Sequence, residues 1–357
     1  MVRLPRKMTY TPRIMYADRM IGLARVTYVV PVYNTEAFVR RCAVSLMEQT
    51  YPNIDYVFVD NASKDKSLDV LRQVVAQYPK RHSDVTIIIN KENKGSATAR
   101  NQGLDASRGD FVMFADSDDY VDADYVETLV AEAEKNNSDI VYCNYYETYE
   151  KSGDKLINQD CGIDPIGCIC SMLTGDMHGS PCNKLFRRKF LLQTSQRFVD
   201  GADLYEDVSW NLRLMSFNPR LSYLPKSFYH YVRYNSGSIT QSVATAAFNR
   251  SRCLQRIRNI DVACRFLGKK GLMGNREINT KSKLWKLMAK NDLIQDNVYS
   301  LKRWMVTFSE ADDEIWNCKT FSLNYRLLLT WLHLHCVIMY RLHKNLLKVI
   351  AKLVKRG

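Results

Sequence analysis

The stretch VTYVVPVYN, residues 26–34, decides the fold, because a run rich in β-branched residues ends there in polar ones. It predicts a buried strand followed by a helix, and this pair recurs along the chain. Further strands are predicted at 54–59, 85–89, 111–115 and 139–146, and helices at 36–50, 66–78, 96–107 and 122–136. The alternation predicts an α/β protein with a mostly parallel, Rossmann-like sheet flanked by helices.

Polar residues directly follow three of the predicted strands. Tyr33 and Asn34 follow the first, Asp60 follows the second, and the run from Asp116 to Asp119 follows the fourth. Because parallel sheets bind ligands beyond the carboxyl ends of their strands, we expect these side chains to meet at one edge.

The run Asp116-Ser117-Asp118-Asp119 predicts a metal site. Closely packed carboxylates repel one another unless a cation relieves them, and oxygen ligands suit Mg²⁺ or Mn²⁺. The alternative is a turn in which Asp119 and Asp122 cap the next helix. Glycine loops that cradle phosphates do not occur: residues 31–36 read PVYNTE instead of G-x-G-x-x-G, and there is no P-loop sequence. Bound phosphates would then need a cation, which favours the metal.

Four ordered motifs resemble the N-terminal half of family 2 glycosyltransferases of the GT-A fold, inverting enzymes many of which build bacterial polysaccharides. They are VVPVYN (29–34), VDNASKD (59–65), NKGSATARNQG (93–103) and GDFVMFADSDD (109–119). A weaker match continues through NKLF (183–186), YED (205–207) and Arg233 followed by NSGSI (235–239). Asn61 departs from the family, where many members have Asp.

The resemblance implies a nucleotide-diphosphate sugar donor, with a UDP-sugar favoured, and an acceptor hydroxyl on a glycan or a lipid-linked sugar. The residues implied in donor binding are Pro31, Tyr33, Glu36, Asp60 (to a uracil-like base), Lys94, Arg100 and Asp116. Asp118 would ligate Mn²⁺ or Mg²⁺. Arg233, beside a flexible Asn-Ser-Gly-Ser stretch, would close over the diphosphate as a lid.

Inverting transfer requires a general base for the acceptor hydroxyl. Asp207 is the candidate base and Glu206 its supporting carboxylate, by resemblance to the Glu-Asp pair of the family. The alternative is that acids in a first helical turn only complement the helix dipole. His178 and His230 are interpreted as structural residues.

Charge is concentrated at the two ends of the chain. Residues 1–25 hold six basic residues and one acidic residue, eight basic residues and no acid follow Glu314, and with a net charge of +13 the segment 26–314 is neutral. This pattern predicts that the basic termini contact an anionic surface outside the protein, and it argues against a nucleic-acid groove across residues 26–314.

The basic C-terminal segment predicts an amphipathic helix at the membrane interface, although packing on the domain or an oligomer contact would give the same pattern. Its purely apolar run is too short for a transmembrane helix. The first residues contain no apolar signal-peptide core, so we expect a cytoplasmic protein, peripheral on the inner face of the cell membrane, with reduced thiols. The cysteines at 161, 168, 170 and 182 match no common zinc spacing and are interpreted as ordinary thiols.

The predicted organisation is a basic extension (1–25), a GT-A domain (26–245) with a nucleotide half (26–147) and an acceptor half (148–245), a helical region (246–320) and a basic amphipathic helix (321–357). Two other functions remain open at this point. A nucleotidyltransferase would usually carry a glycine-rich basic loop after its first strand. A catalytically inactive membrane-associated binding protein would have no need for Asp60, Asp116, Asp118 and Asp207.

Overall fold

The computed structural model describes residues 22–238, 250–294 and 298–354, and within them a nine-stranded sheet forms the centre. The strands are β1 (Val26–Val32), β2 (Ile54–Asp60), β3 (Val85–Ile89), β4 (Phe111–Phe114), β5 (Tyr120–Val121), β6 (Ile140–Tyr149), β7 (Gly153–Ile157), β8 (Lys184–Arg187) and β9 (Leu221–Val232). Their order is β3-β2-β1-β4-β8-β6-β9-β5, and β7 pairs with β6.

The strand directions confirm the α/β class and make the sheet mixed. Strands β3, β2, β1 and β4 pair in parallel, and so do β6 and β9. Strand β8 runs antiparallel to both β4 and β6, and β5 and β7 are also antiparallel to their neighbours. Parallel pairing is therefore continuous only from β3 to β4. The sequence pattern could not predict the antiparallel strands, because hydrophobic periodicity carries no information about strand direction.

Within residues 22–238, seven α-helices accompany the sheet: α1 (Val39–Met47), α2 (Ser67–Gln77), α3 (Gly95–Ala106), α4 (Tyr125–Lys135), α5 (Pro165–Thr174), α6 (Arg188–Thr194) and α7 (Glu206–Met215). Helix α3 lies unusually close to β1, since a Cβ on Gly103 would be 2.1 Å from Cγ1 of Val29. Gly103 thus allows this close approach, and the start of α3 contacts the loop after β2, where the Lys94 amide donates to Oδ1 of Asn61.

The helical region, α8 (Arg250–Lys269), α9 (Arg276–Asn291) and α10 (Val298–Val306), packs on the sheet domain. The main hydrophobic core continues into it through Ile260, Ala263 and Trp285. A second core surrounds Trp304, whose ring lies 3.8 Å from the ammonium of the buried Lys290. The predicted boundary at residue 245 falls outside the described residues.

The C-terminal segment forms two helices where a single one was expected. Helix α11 (Leu323–His333) and helix α12 (Val337–Val354) are separated at His335, which has a φ of 58° in the left-handed region. Helix α11 buries Leu328, Leu329 and Leu332 in the second core, whereas α12 exposes a row of apolar side chains, namely Ile338, Met339, Leu342, Leu346, Val349 and Ile350. Across the described ranges, no helix has the length and hydropathy needed to cross a membrane.

Candidate active site

The loops after β1, β2 and β4 meet at one edge of the sheet, as the strand directions require. Thr35 donates from Oγ1 to Oγ of Ser117 at 3.0 Å, which joins the β1 loop to the acidic loop after β4. The amide of Asn34 donates to Oγ of Ser63 at 3.2 Å, which joins the β1 and β2 loops. The predicted convergence of polar residues is therefore confirmed.

Asp119 fastens the acidic loop to β9. Its buried carboxylate accepts hydrogen bonds from the Tyr229 hydroxyl and from the Val232 amide at 2.8 Å. Burial, then the carboxylates of Asp118 and Asp116, raise the pKa of Asp119. Helix α4 begins only at Tyr125 and receives no side-chain cap, so the alternative that Asp119 or Asp122 caps it is wrong.

A buried guanidinium joins the acidic loop to the acids of α7. Arg100 donates from Nη2 to Oδ1 of Asp116 and from Nη1 to Oε1 of Glu206, both at 2.7 Å. The hydroxyl of Ser96 also donates to Oε1 of Glu206, at 3.0 Å. The side chains of Arg100 and Glu206 are only 6% and 9% exposed. Arg100 thus bridges Asp116 and the candidate catalytic pair, a connection that the sequence did not reveal.

The first turn of α7 carries Glu206 and Asp207, two carboxylates in unlike environments. Burial, then the Asp207 carboxylate, raise the pKa of Glu206, while the Arg100 guanidinium at 2.7 Å acts in the opposite direction and favours the charged carboxylate. Asp207 is half-buried, and its Oδ1 accepts a hydrogen bond from the Val208 amide at 2.7 Å. The deeper carboxylate is therefore held by the protein, and the shallower one is accessible.

Asp203 positions the start of α3 from the other half of the domain. Its Oδ1 accepts hydrogen bonds from the amide of Ala97 at 3.0 Å and from the hydroxyl of Ser96 at 3.3 Å. Only glycine fits at residue 95, because φ is 86° there and a Cβ would lie 2.1 Å from Oδ2 of Asp203. Gly95 of the Lys94-Gly95 motif is therefore required for the close contact with Asp203, which the spacing of the motif alone does not show.

Helix α8 holds the loop that precedes the candidate catalytic pair. Asn259 donates from Nδ2 to the carbonyls of Ala202 and Leu204, at 2.7 and 2.8 Å. Gln255 accepts a hydrogen bond from the Asp203 amide at 3.0 Å. These residues were missed at the sequence level, since a polar residue on a charged helix gives no sign of what it contacts.

Asp118 lies beneath the segment that follows β9. Its Oδ2 accepts a hydrogen bond from Nδ2 of Asn235 at 2.8 Å, and its main-chain carbonyl accepts one from Arg41 at 3.4 Å. Burial, then Asp116, raise the pKa of Asp118, so its negative charge is disfavoured where it stands. A divalent cation would relieve that charge, and a carboxylate oxygen is the ligand type that Mg²⁺ and Mn²⁺ accept. Asp118 therefore offers an oxygen ligand of the type that such an ion accepts, although among the described residues no group of three or more His, Cys, Asp or Glu side chains is arranged to hold one.

The other residues implied in donor binding line the same edge. Tyr33 is 39% exposed and Asp60 is buried at the end of β2, where its Oδ1 accepts from the Ser63 amide at 3.4 Å. Pro31 is partly buried in β1, and Lys94 is exposed at the start of α3. Glu36 accepts a hydrogen bond from the Lys66 amide at 3.1 Å. Glu36 therefore stabilises the loop after β2.

Asn61 uses both ends of its amide within the protein. Its Nδ2 donates to Oδ1 of Asn93 at 2.8 Å, while its Oδ1 accepts from the Lys94 amide at 3.0 Å and from Nδ2 of Asn90 at 3.1 Å. An aspartate could not donate the first of these bonds. The departure from the family motif thus fixes the loop before α3.

Arg233 lies at the end of β9 in an ion pair. Its Nε is 3.6 Å from Oε1 of Glu147, and its guanidinium lies 5.2 Å from the centre of the Tyr231 ring. Its neighbour Asn235 makes the contact with Asp118, a role that the sequence did not assign. Closure of Arg233 over a diphosphate stays a prediction.

The cysteines give no metal site. Sγ of Cys161 and Sγ of Cys168 lie 2.9 Å apart as free thiols, and Cys170 and Cys182 are buried separately. Among residues 22–238, 250–294 and 298–354, no group of three or more His, Cys, Asp or Glu side chains is arranged to hold a metal ion.

Solved structures share this architecture. The crystal structure of S. aureus TarS 1-349 superposes with a TM-score of 0.66 at 17% identity over 90% of both chains. The same protein in complex with UDP-GlcNAc gives a TM-score of 0.60 at 18% identity. The chain therefore has the GT-A fold, with a helical C-terminal region.

Sequence comparisons narrow the class to one family. Residues 27–193 match the model of Glycosyl transferase family 2, and the chain belongs to that family. EpsH of Bacillus subtilis, whose name assigns it to the glycosyltransferases, is 33% identical over 64% of this chain and 66% of its own length. The poly(ribitol-phosphate) beta-glucosyltransferase of Bacillus spizizenii is 36% identical over 32% of this chain and 18% of its own. The chain thus spans less than two thirds of these relatives.

Proposed function

We propose that this chain is an inverting, metal-dependent glycosyltransferase of cell-surface polysaccharide synthesis. It moves a sugar from a nucleotide-diphosphate donor to a hydroxyl of a glycan or lipid-linked acceptor. The observation that carries the proposal is the Arg100 bridge, which holds Asp116 and Glu206 to one guanidinium beside Asp207. The family and the names of the relatives support the same reaction.

Asp207 acts as the general base in this proposal. As the acceptor oxygen forms its bond to the anomeric carbon, the bond from that carbon to the diphosphate breaks and the hydroxyl proton moves to the Asp207 carboxylate. A single displacement inverts the anomeric configuration. Arg100 keeps Glu206 and Asp116 in place, so that the base and the donor are held in a fixed relation.

The donor occupies the edge formed by the loops after β1, β2 and β4. The nucleotide lies against Pro31, Tyr33, Glu36 and Lys94, and Asp60 accepts a hydrogen bond from a uracil-like base. A UDP-sugar is favoured because the TarS structures, which share this fold, include complexes with UDP-GlcNAc and with UDP. Asp116 approaches the ribose and the diphosphate, and Arg233 covers them.

Mn²⁺ or Mg²⁺ would be held by Asp118, with its other ligands supplied by the donor phosphates and water. When bound, the ion would neutralise charge that develops on the departing diphosphate. The closeness of Asp116 and Asp118 in one loop supports this assignment, because a cation there would relieve the repulsion between the two carboxylates.

Removal of the metal is expected to weaken donor binding. UDP titrated into the protein by calorimetry should bind at least about tenfold more tightly with Mn²⁺ than with EDTA, a difference of about 1.4 kcal/mol. Asp118→Asn should bind UDP equally under both conditions. Asp139→Asn is the control: it alters a partly buried carboxylate that pairs with Arg220 and should keep the Mn²⁺ effect. Equal UDP affinity of the unaltered protein with and without Mn²⁺ would contradict metal dependence.

We further propose that the C-terminus associates with the inner face of the cell membrane. Helix α12 exposes an apolar row, and the basic residues Arg341, Lys348 and Lys352 accompany it without any acid. Such a helix binds anionic lipid surfaces through both its apolar side chains and its charge. A lipid-linked acceptor would place substrate at the same surface.

Charge reversal on α12 is expected to weaken vesicle binding. Lys348→Glu with Lys352→Glu should lower affinity for phosphatidylglycerol-containing vesicles at least about tenfold, since each basic residue contributes about 1 kcal/mol at such surfaces. The same reversal at Lys151 and Lys155, both exposed in the β6–β7 hairpin, is the control. Co-sedimentation measures the effect, and an unaltered protein that stays in the supernatant with these vesicles rules the proposal out.

A further inference from the structure

Three aromatic side chains form a cluster beside the candidate active site, called here the aromatic wall: Tyr145 on β6, Tyr231 on β9, and His178. The ring centre of His178 lies 5.1 Å from that of Tyr145 and 6.0 Å from that of Tyr231. The two tyrosine rings are 6.5 Å apart. Tyr145 is buried, whereas His178 and Tyr231 are partly exposed. The wall thus has a buried support and an accessible surface.

The wall faces the acidic loop. Tyr229 and Tyr231 are two residues apart on β9, so their side chains leave the same face of the sheet. The Tyr229 hydroxyl donates to Asp119 and accepts from the Asp116 amide at 3.2 Å. Tyr145 pairs with Tyr229 across the β6–β9 ladder and shares that face. The position of Tyr229 therefore places the wall on the active-site side.

The turn that bears His178 is held firmly against α7. The buried ammonium of Lys184 donates to the carbonyls of His178 at 3.0 Å and Ser180 at 2.6 Å. Gly179 packs on the first turn of α7, since a Cβ there would lie 2.8 Å from Cα of Val208. Val208 directly follows Asp207, so this turn brings the wall to the candidate base. The Asn183-Lys184 motif thereby gains a physical role.

The charges around His178 come from both parts of the site. Burial lowers the pKa of His178, while Asp207 acts in the opposite direction, and Asp116 and Glu147 also influence it. The imidazole is therefore within electrostatic reach of the donor side and of the base. When neutral, it offers one hydrogen-bond donor and one acceptor, which suits a sugar hydroxyl.

We propose that His178 and Tyr231, supported by Tyr145, form the subsite that holds the acceptor sugar ring against Asp207. Sugar-sized ligands bind in sites that combine aromatic surface with a few placed polar groups. Here the apolar face of the ring packs on Tyr231, and His178 bonds a hydroxyl. The inference rests on the proposed function, because it names where the acceptor of that reaction binds.

The test measures sugar binding without catalysis. A panel of methyl hexopyranosides is added to the full chain with UDP and Mn²⁺, and saturation-transfer difference NMR gives the dissociation constants. Tyr231→Ala and His178→Ala should each raise the constant for the bound sugars at least about tenfold, the loss of about one good contact. Tyr231→Phe keeps the ring and should bind nearly as well as the unaltered chain. UDP affinity by calorimetry should stay within about twofold in His178→Ala, whose side chain has no role in the proposed donor site.

Tyr146→Ala is the matched control. Tyr146 neighbours Tyr145 on β6 but faces the other side of the sheet, where its ring lies 4.9 Å from that of His230. The subsite is overturned if Tyr146→Ala loses sugar binding to the same extent, or if Tyr231→Ala and His178→Ala lose none. It is also overturned if the unaltered chain binds UDP but binds no sugar of the panel. Failure of the unaltered chain to bind UDP would instead contradict the proposed function. If Tyr231→Ala does not fold, the difference in sugar binding between His178→Ala and Tyr146→Ala tests the subsite.

Discussion

Asp207→Asn is expected to lower the rate of sugar transfer by about a hundredfold to ten-thousandfold, the contribution of a positioned general base. The amide has nearly the same shape and can still accept the Val208 hydrogen bond, but it cannot take up the acceptor proton. Donor binding should be unchanged, because the roles proposed for the donor lie with residues of the other loops. Release of UDP from a donor panel measures the rate, and calorimetry measures the affinity for UDP.

Two further variants make the result specific. Asp176→Asn alters an exposed carboxylate in the turn after α5 and should leave transfer unchanged. Glu206→Gln separates the two acids of α7, because Glu206 is buried against Arg100 and has no access to an acceptor. Full activity in Asp207→Asn, with loss in Glu206→Gln, would move the base to Glu206.

Arg100→Met is expected to lower the free energy of unfolding by about 3 to 5 kcal/mol, the usual cost of breaking a buried ion pair by removing one partner. The Glu206 carboxylate would remain buried without its cation, and the 33% exposed Asp116 would be relieved only partly by water. Urea unfolding measures the loss. Transfer should also fall, since both acids lose the group that holds them.

Arg220→Met provides the comparison for a surface pair. Arg220 lies 3.5 Å from Asp139 with 57% of its side chain exposed, so its removal should cost no more than about 1 kcal/mol. The double variant Arg100→Met/Glu206→Gln should recover part of the lost stability, because it removes the stranded charge as well. Equal costs for Arg100→Met and Arg220→Met would show that the Arg100 bridge is not a buried interaction.

The strands and helices of the nucleotide half could be predicted because their pattern is local. Strand β1 is buried along nearly its whole length, and the alternation of elements predicts the parallel β3-β2-β1-β4 pairing. The antiparallel entry of β8 and the break at His335 could not be predicted from periodicity. One depends on the path of the chain through space, and the other on a single left-handed residue within an otherwise continuous apolar pattern.

The residues of the candidate site could likewise be predicted only in part. Asp60, Asp116 and Asp118 were found because they follow strands, and strand ends converge in this fold class. The contacts of Asp116 and Asp118 were not found, since Arg100 reaches Asp116 from a helix of small residues and Asn235 reaches Asp118 from a loop 117 residues further along the chain. His178 was interpreted as structural because a lone histidine shows nothing of the rings beside it.

The contacts between α3 and residues 198–206 have a consequence for redesigning the product. Asn101 donates to the Phe198 carbonyl at 3.0 Å, Asp203 binds the start of α3, and Glu206 binds Arg100. Residues 26–147 and 148–238 are therefore not independent units that could be exchanged separately. A chimera that exchanged residues 148–238 alone would separate Arg100 from Glu206 and the start of α3 from Asp203. A functional chimera therefore has to take α3 and residues 198–206 from the same parent protein.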